Sequence, residues 1–580
     1  MTTRYPQTFP PDEASSWRRV RKYAVPRRMI EQATQRRLAG DWRGACAAAN
    51  VDLEFYMPNV RLRYGAETAA QLEADLRHFA PDLLRWHLPR WLHGRSTLTP
   101  GQCVMLASYG GQGADGPHLH VITLKMIDGP QRLLLRFGGV DEERYSRRYG
   151  HVQDWRSTRY LWDARQSDEL LERCGGGRRA PFRNADGTPR AASELPTRDP
   201  GSDDPVGHAE WITLLSDRAG IEQACVAAGI TLDDALRENR RYGRPTIEAL
   251  AKQPLALATL EPEARRLAAA GRGNRYQFAT TRLPPLRLNL NADAPGLSIR
   301  PVDRADAERA PVLPVAVWHR LPDLDLLRFG DITPEELHPL VSASLFPARA
   351  PQATDGPPRP APRAPAATRV RCRGEWHEVR SLDGRLRTAH SEDEERRERA
   401  MRAFGGPVTG CFAVAQAWTS GTGWLPKALR AQRLEFFSRV QQGDTAEVVR
   451  LLDAGIDPHI RDGRQRTLLH LLHLLDHEVM LPRLLAAGLD LEARDQSQRT
   501  PLHVAVGEGP EALVRALLDA GARTDVADDG DRSLPYLILH HRRRELRFLY
   551  DTVVRDHPKL ADQLYYSWED LDDWEGQDDD

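Results

Sequence analysis

Residue marks that recur at a step of 33 residues in the last quarter of the chain constrain its fold more than any other feature. Thr467-Leu468-Leu469-His470 returns as Thr500-Pro501-Leu502-His503, and again as Ser533-Leu534-Pro535-Tyr536. Leu451-Leu452, Leu484-Leu485 and Leu517-Leu518 keep the same step. So do Gly455, Gly488 and Gly521, and Asp462, Asp495 and Asp528. A fixed period of this length describes stacked supersecondary units, each burying its apolar face on the next. Thr500 is placed to cap a helix, and Pro501 to enter its first turn, where a missing N–H leaves nothing unsatisfied. His503 is placed to hydrogen-bond backbone near the neighbouring turn. Leu513, Leu517 and Leu518 give a second helix its apolar face, and Gly521 ends it in a left-handed conformation.

These residues resemble the ankyrin repeat, whose period is 33 and whose signature is T-P-L-H-x-A. The resemblance covers about residues 432–556, and the unit Thr500 to Arg532 is nearest the pattern. Its repeat-defining residues here are Thr467, His470, Gly488, Thr500, Pro501, Leu502, His503 and Gly521. The second unit has Leu468 where Pro is expected, and Pro482 falls early in its second helix. The last unit swaps the order to Leu534-Pro535 and has Tyr536 for His; the first, starting at Leu434 to Val440, lacks the motif. Degenerate ends are what caps look like, so about four units are expected, two of them capping. The resemblance implies a cofactor-free module that binds proteins through its loop tips and concave helix face. The tips at the family's variable positions carry Arg461 and Arg464, then Arg494, Gln496 and Arg499, then Asp525, Asp528 and Asp529. An edge of arginines favours an acidic protein partner. The chain's own tail, Glu569 to Asp580, holds eight acidic residues and no basic one, so it could dock there.

The other three quarters are less specific. With 580 residues, three to six domains are expected, at about 100–200 residues each. A net charge of −1 argues against a uniformly basic nucleic-acid surface, although Trp17 to Arg43 carries nine basic residues against Glu31 and Asp41. Apolar runs are too short for a membrane span, and the first thirty residues lack a signal-peptide core. The expectation is a soluble cytoplasmic protein. Of 81 basic residues only five are Lys, a codon bias that suggests a high-GC bacterial genome, and the arrangement is similar to ankyrin-repeat proteins of such bacteria. Six scattered cysteines, Cys46, Cys103, Cys174, Cys225, Cys372 and Cys411, read as reduced thiols.

Pattern and composition divide the chain into segments. Residues 1–16 are polar and expected disordered. Residues 17–174 read as an α+β domain, 175–207 as a loop or linker, and 208–346 as a second α+β domain. Seven prolines mark 347–367 as an extended linker. A small α+β segment, 368–431, with a hairpin at Asp383-Gly384, leads into repeats at 432–562 and an acidic tail at 563–580. The expected fold class is therefore multidomain: a mixed α+β N-terminal region followed by an α-helical ankyrin-type solenoid.

No catalytic, cofactor or metal site is assigned. His118 and His120 share a strand face, but no third ligand is apparent. Cys372, His377, His390 and Cys411 could supply a tetrahedral set, yet their spacings match no familiar zinc ribbon. A hairpin with incidental Cys and His is the expectation, and whether the four meet in space stays open. Gly110 to Gly116 and Gly175 to Gly177 read as turns, since neither has the P-loop context. Two segments share a short outline, Arg43 to Val51 and Glu222 to Ile230: small residues, then Asn or Gly, then a β-branched residue. That outline fits a helix-turn-helix near 17–51, hence a DNA-binding alternative, or two related modules within 17–345. An enzyme of unidentified class in 17–345 is the other alternative. Protein–protein interaction by the array is the leading reading, with the N-terminal region of unknown activity.

Overall fold

The computed structural model describes residues 6, 8–92, 96–110, 116–124, 129–140, 151–201, 203–238, 240–241, 244–278, 285–291, 296–303, 310–349, 367–382, 385–403 and 408–560. Most of the Pro-rich linker, the Asp383-Gly384 turn and the acidic tail fall outside them. Two compact units emerge. Unit 1 is Met1–Lys125 with Arg132–Ala353, and unit 2 is Met126–Gln131 with Thr354–Asp580. Among the described residues no helix is long and apolar enough to cross a membrane.

Unit 1 starts earlier than composition suggests. Helix α1 spans Pro11–Arg19, with Pro11 at its first position, and Phe9 just before it is buried. The expectation of disorder is corrected for residues 8–16 by that apolar anchor and helix. Helices α2 (Arg27–Leu38) and α3 (Trp42–Ala48) come next, the second capped by the Asp41 carboxylate on the Gly44 N–H. Asn50, at φ 54°, then turns the chain into strand β1, Val51–Leu53. Leu72 and Leu76 are buried on the helix Ala66–His78; a second helix, Pro81–His87, starts at Pro81, as a proline break predicts.

The first sheet of unit 1 has five strands. β2 (Gln102–Ser108), β3 (His118–Thr123) and β4 (Leu133–Gly138) form its antiparallel core. β1 adds parallel to β4, and β5 (His151–Asp154) adds parallel to β2. The order is thus β1-β4-β3-β2-β5. Edge strands of three or four residues are too short to show a period, so the sequence pattern does not reveal them.

The same plan returns downstream. Helices α4 (Pro205–Ala219) and α5 (Ile221–Ala227) lead through Gly229, at φ 70°, into β6, Ile230–Leu232. β7 (Arg275–Phe278), β8 (Leu286–Leu290) and β9 (Leu297–Pro301) are an antiparallel meander. β6 lies parallel to β9, and β10 (Val312–Leu313) parallel to β7. The order β6-β9-β8-β7-β10 repeats the first sheet strand for strand. Cys46 and Cys225 occupy the matching buried place on α3 and α5, and burial pushes both thiols up to about 12. The two look-alike segments are therefore helix–turn–strand, not helix-turn-helix, because Asn50 leads directly into β1. The basic run is also largely engaged. Arg21 is buried in a two-pronged pair with Asp323 (2.6 and 2.9 Å), and Arg27 and Arg36 pair with Glu31 and Asp41.

The expected boundary between 17–174 and 208–346 is not a clean one. Leu326, Leu327, Val341, Leu345 and Phe346 pack into the core that holds Phe9, Leu72 and Trp86. Residues 175–207 are irregular, as composition implies, but they do not form a free linker. Ala180 and Phe182 are buried, and Arg179 and Arg190 converge on the fully buried Glu210.

Unit 2 opens with an antiparallel sheet of β11 (Thr368–Cys372), β12 (Glu375–Leu382) and β13 (Arg385–Arg387). Helices α6 (Glu392–Ala403) and α7 (Gly410–Ser420) come after it. Among the described residues, four helix pairs then stack. They are Lys427–Gln442 with Thr445–Asp453, a 3-10 turn Leu469–Leu474 with His477–Ala486, Pro501–Glu508 with Glu511–Asp519, and Leu534–His540 with Arg547–Asp556. Val370, Cys372, Cys411 and Val414 belong to the same apolar core as Val448, Leu484, Leu513 and Val553. The 368–431 segment therefore shares the array's core instead of standing apart.

Candidate functional site

The loops between repeats are closed by one network used three times. The Asp462 carboxylate accepts the Arg464 and Arg466 N–H groups, both at 2.9 Å. Asp495 does the same for Ser497 and Arg499, and Asp528 for Gly530 and Arg532. The second oxygen of each carboxylate takes the guanidinium of Arg466, Arg499 or Arg532. Gln465, Gln498 and Asp531 complete the turns with φ of 64°, 57° and 56°. The recurring aspartates thus satisfy backbone donors that a tight turn leaves unpaired.

Helix starts are fixed by a second repeated device. His470 Nδ1 lies 2.9 Å from Thr467 Oγ1 and accepts the Thr467 N–H, and its Nε2 lies 2.9 Å from the Arg499 carbonyl oxygen in the next loop. His503 Nδ1 pairs with Thr500 in the same way, at 2.8 Å. Burial holds both imidazoles down to about 4, so they are neutral near pH 7. Pro501 and Leu502 occupy the first turn of their helix, and both are buried. Gly455, Gly488 and Gly521 have φ of 110°, 80° and 94°, the left-handed helix ends that their register implies.

The tip residues divide into two groups. Arg461 Nη1 donates to the carbonyls of Gln465 and Arg494, and Arg494 Nη1 donates to Gln498 and Ala527. Each therefore ties its loop to the loop one repeat ahead. Arg499 is held by Asp495. The expected edge of four available guanidinium groups is corrected accordingly: Arg461, Arg494 and Arg499 bind the array itself. Arg464, Gln496, Asp525 and Asp529 are exposed. Asp525 pairs with Arg523, which pulls its carboxyl down to about 2.

A second group of side chains meets at the head of unit 2. One ligand atom from each of Cys372, His377, His390 and Cys411 lies within 4.8 Å of all the others. His377 Nδ1 is 3.1 Å from His390 Nε2, Cys372 Sγ is 3.5 Å from His390 Nε2, and Cys411 Sγ is 3.6 Å from His377 Nδ1. Sequence spacing alone could not find this. β11 and β12 place Cys372 and His377 on neighbouring strands, whereas His390 arrives from the connection before α6 and Cys411 from the first turn of α7. By contrast, His118 and His120 are both buried in β3: His118 Nδ1 meets Ser108 Oγ at 2.9 Å, and His120 Nδ1 lies 3.2 Å from the His118 carbonyl.

Unit 1 contains a cavity of about 290 Å³ whose lining includes Gln102, Gln153, Arg173, Trp155 and Trp318. Two buried atoms of its lining residues, His87 Nε2 and Trp318 Nε1, have no hydrogen-bond partner among the described residues. Burial also keeps the His87 imidazole well below its ordinary value.

The repeated loop and helix geometry agrees with the comparison to known families. Residues 437–528 match the family model of ankyrin repeats (3 copies). This part of the chain is an ankyrin array. Ankyrin repeats are general protein-interaction modules, and the match ends within the third loop, one helix pair before the stack itself does. No curated protein matches the chain.

Proposed function

We propose that the ankyrin array is a protein-docking surface whose contact residues are Arg464, Gln496, Asp525 and Asp529 at the loop tips, together with the concave helix face. The observation that carries this is the division of labour within the loops. Asp462, Asp495 and Asp528 close them, Arg461 and Arg494 link them, and the exposed tips are held rigidly for a partner. Rigid presentation reduces the ordering that binding would otherwise require. An acidic partner, or docking of the chain's own tail, rested on four aligned arginines; with three engaged, we assign recognition to mixed polar tips. Six scattered cysteines, read as reduced thiols, fit a reducing cytoplasm. The unit 1 cavity adds a pocket to this reading but no assigned chemistry, so a catalytic role for residues 17–345 is not part of the proposal.

The test is affinity capture with the full chain and its Arg464→Glu/Gln496→Arg/Asp529→Arg variant. Because these side chains are exposed, circular dichroism should be unchanged. The captured proteins should fall roughly tenfold or more. An unchanged set of partners would remove the tips from the interface.

A further inference from the structure

The ligand atoms of the Cys372–His377–His390–Cys411 cluster lie within 4.8 Å of one another, and three of their separations are those a tetrahedral metal imposes. Zinc binds sulfur at about 2.3 Å and imidazole nitrogen at about 2.0–2.1 Å in a tetrahedron. The edges of such a tetrahedron are roughly 3.3 Å between nitrogens and roughly 3.5–3.6 Å between nitrogen and sulfur. Three of the six separations match: 3.1 Å for the nitrogen pair, and 3.5 and 3.6 Å for two of the four mixed pairs, with all four ligand atoms within 4.8 Å of one another. One N–H···N hydrogen bond can join His377 Nδ1 and His390 Nε2, but it leaves both thiols with only weak sulfur contacts, whereas a single ion takes all four atoms.

Three further features point the same way. His390 presents Nε2 to the cluster while its Nδ1 lies 3.6 Å from a Glu394 carboxylate oxygen. His377 presents Nδ1 while its Nε2 lies 3.8 Å from Glu375. A carboxylate lies near the outer nitrogen of each imidazole, at ion-pair rather than hydrogen-bond distance, on the side from which a partner orients a metal-bound histidine. The cluster is also built by close approach. Gly410 has φ 59°, and a Cβ there would fall 2.6 Å from Cys372 Sγ and 2.8 Å from Cys372 Cα. Only glycine lets the first turn of α7, which carries Cys411, come so near β11.

We propose that Cys372, His377, His390 and Cys411 bind one zinc ion, which fastens the β11–β12 hairpin to α7 at the head of the ankyrin array. Two thiolates and two neutral imidazoles make a closed tetrahedral set with no position left for substrate, so the site is structural. The ion has a clear mechanical task. The first repeat lacks the Thr-x-x-His device, and its exposed end is covered by short elements that share its core. Small elements with little apolar surface are commonly fastened by a metal.

The full chain, purified without chelator or metal-affinity tag, should contain about one zinc ion per molecule. After the zinc is exchanged for cobalt, it should show thiolate-to-cobalt charge transfer and tetrahedral d–d absorption. Cys411→Ser and His390→Ala should each lose at least nine-tenths of the metal. The fold of such variants can fail, so Glu394→Gln is the sharper variant: all four ligands remain, and zinc affinity in a chelator competition should fall roughly 10–100-fold. A wild-type chain that carries no zinc and gives no cobalt–thiolate band would overturn the proposal. So would full zinc retention in Cys411→Ser, or a Cys372–Cys411 disulfide in the freshly purified protein.

Discussion

Both units repeat themselves, but unit 1 does so in letters only in one short segment, and the ankyrin array along its whole length. Its Thr, His, Asp and Gly marks each satisfy a backbone group or a positive φ, and few other residues can do that. Unit 1 repeats a five-stranded sheet with identical strand order, yet its repeated positions hold apolar side chains whose requirement is volume and face. Many residues meet that requirement, so the likeness fades in sequence while the fold keeps it. The lesson is that backbone-specific constraints leave readable residues and packing constraints do not. Three experiments ask whether a mark is as irreplaceable as that contrast requires.

The largest effect should come from pH. His470 and His503 titrate near 4 in the folded array, against an ordinary 6.5. The folded state therefore keeps them neutral, while the unfolded chain takes up protons below about 6.5. Stability is fully present above that value, falls as pH drops toward 4, and loses nothing more from these groups below it. Each histidine contributes on the order of 3 kcal/mol to that loss. Asp495, Arg461 and Arg466 surround His470; Arg494, Arg499, Asp495 and Asp528 surround His503. Hydrogen exchange of residues 467–510 at pH 7 and pH 4.5 measures the change. Equal protection at both would mean that these imidazoles are not buried neutral.

A smaller effect is expected from Asp495→Ala. The change strips two loop N–H groups and the Arg499 guanidinium of their shared acceptor. Loss of a buried charged acceptor costs about 2–3 kcal/mol. Exchange should speed up in residues 495–505 first. If it speeds up uniformly over the chain, the loop network is not a local unit.

Legibility divides along the same line. The repeat register, the left-handed Gly521 and the helix start at Thr500 are all readable, because each rests on a residue type tied to one backbone need. The roles of Arg461 and Arg494 are not. A recurring arginine on a loop looks the same whether it faces a partner or the next loop's carbonyls. The Cys372–Cys411 cluster is visible as four residue types but not as a site, because its members come from a hairpin, a connection and a helix start whose packing the spacing does not encode. Arg43 to Val51 and Glu222 to Ile230 are recognisably alike, but a strand of only three residues after the turn is too short to tell from a helix start.

The smallest effect tests whether unit 1's duplication is real at the level of single residues. Asn50 and Gly229 hold the same place, between helix and edge strand, with φ of 54° and 70°. Asn is the side chain that best tolerates this left-handed region, because its short amide can bond locally. Gly229→Asn should therefore change stability by less than about 0.5 kcal/mol, whereas Gly229→Val should cost about 1–2 kcal/mol. Space does not confound the comparison: a Cβ at Gly229 would meet only Glu261 Oε2, at 3.9 Å. Gly521→Val in the array supplies the control, since its φ is 94° and nothing lies within 4 Å of the added carbon. Urea unfolding of the full chain and the three variants, together with exchange at residues 222–232 and 513–523, reads all the costs at once. If Asn at 229 is as damaging as Val, the two turns are not equivalent, and the matching strand order of the two sheets would have no counterpart in their turns.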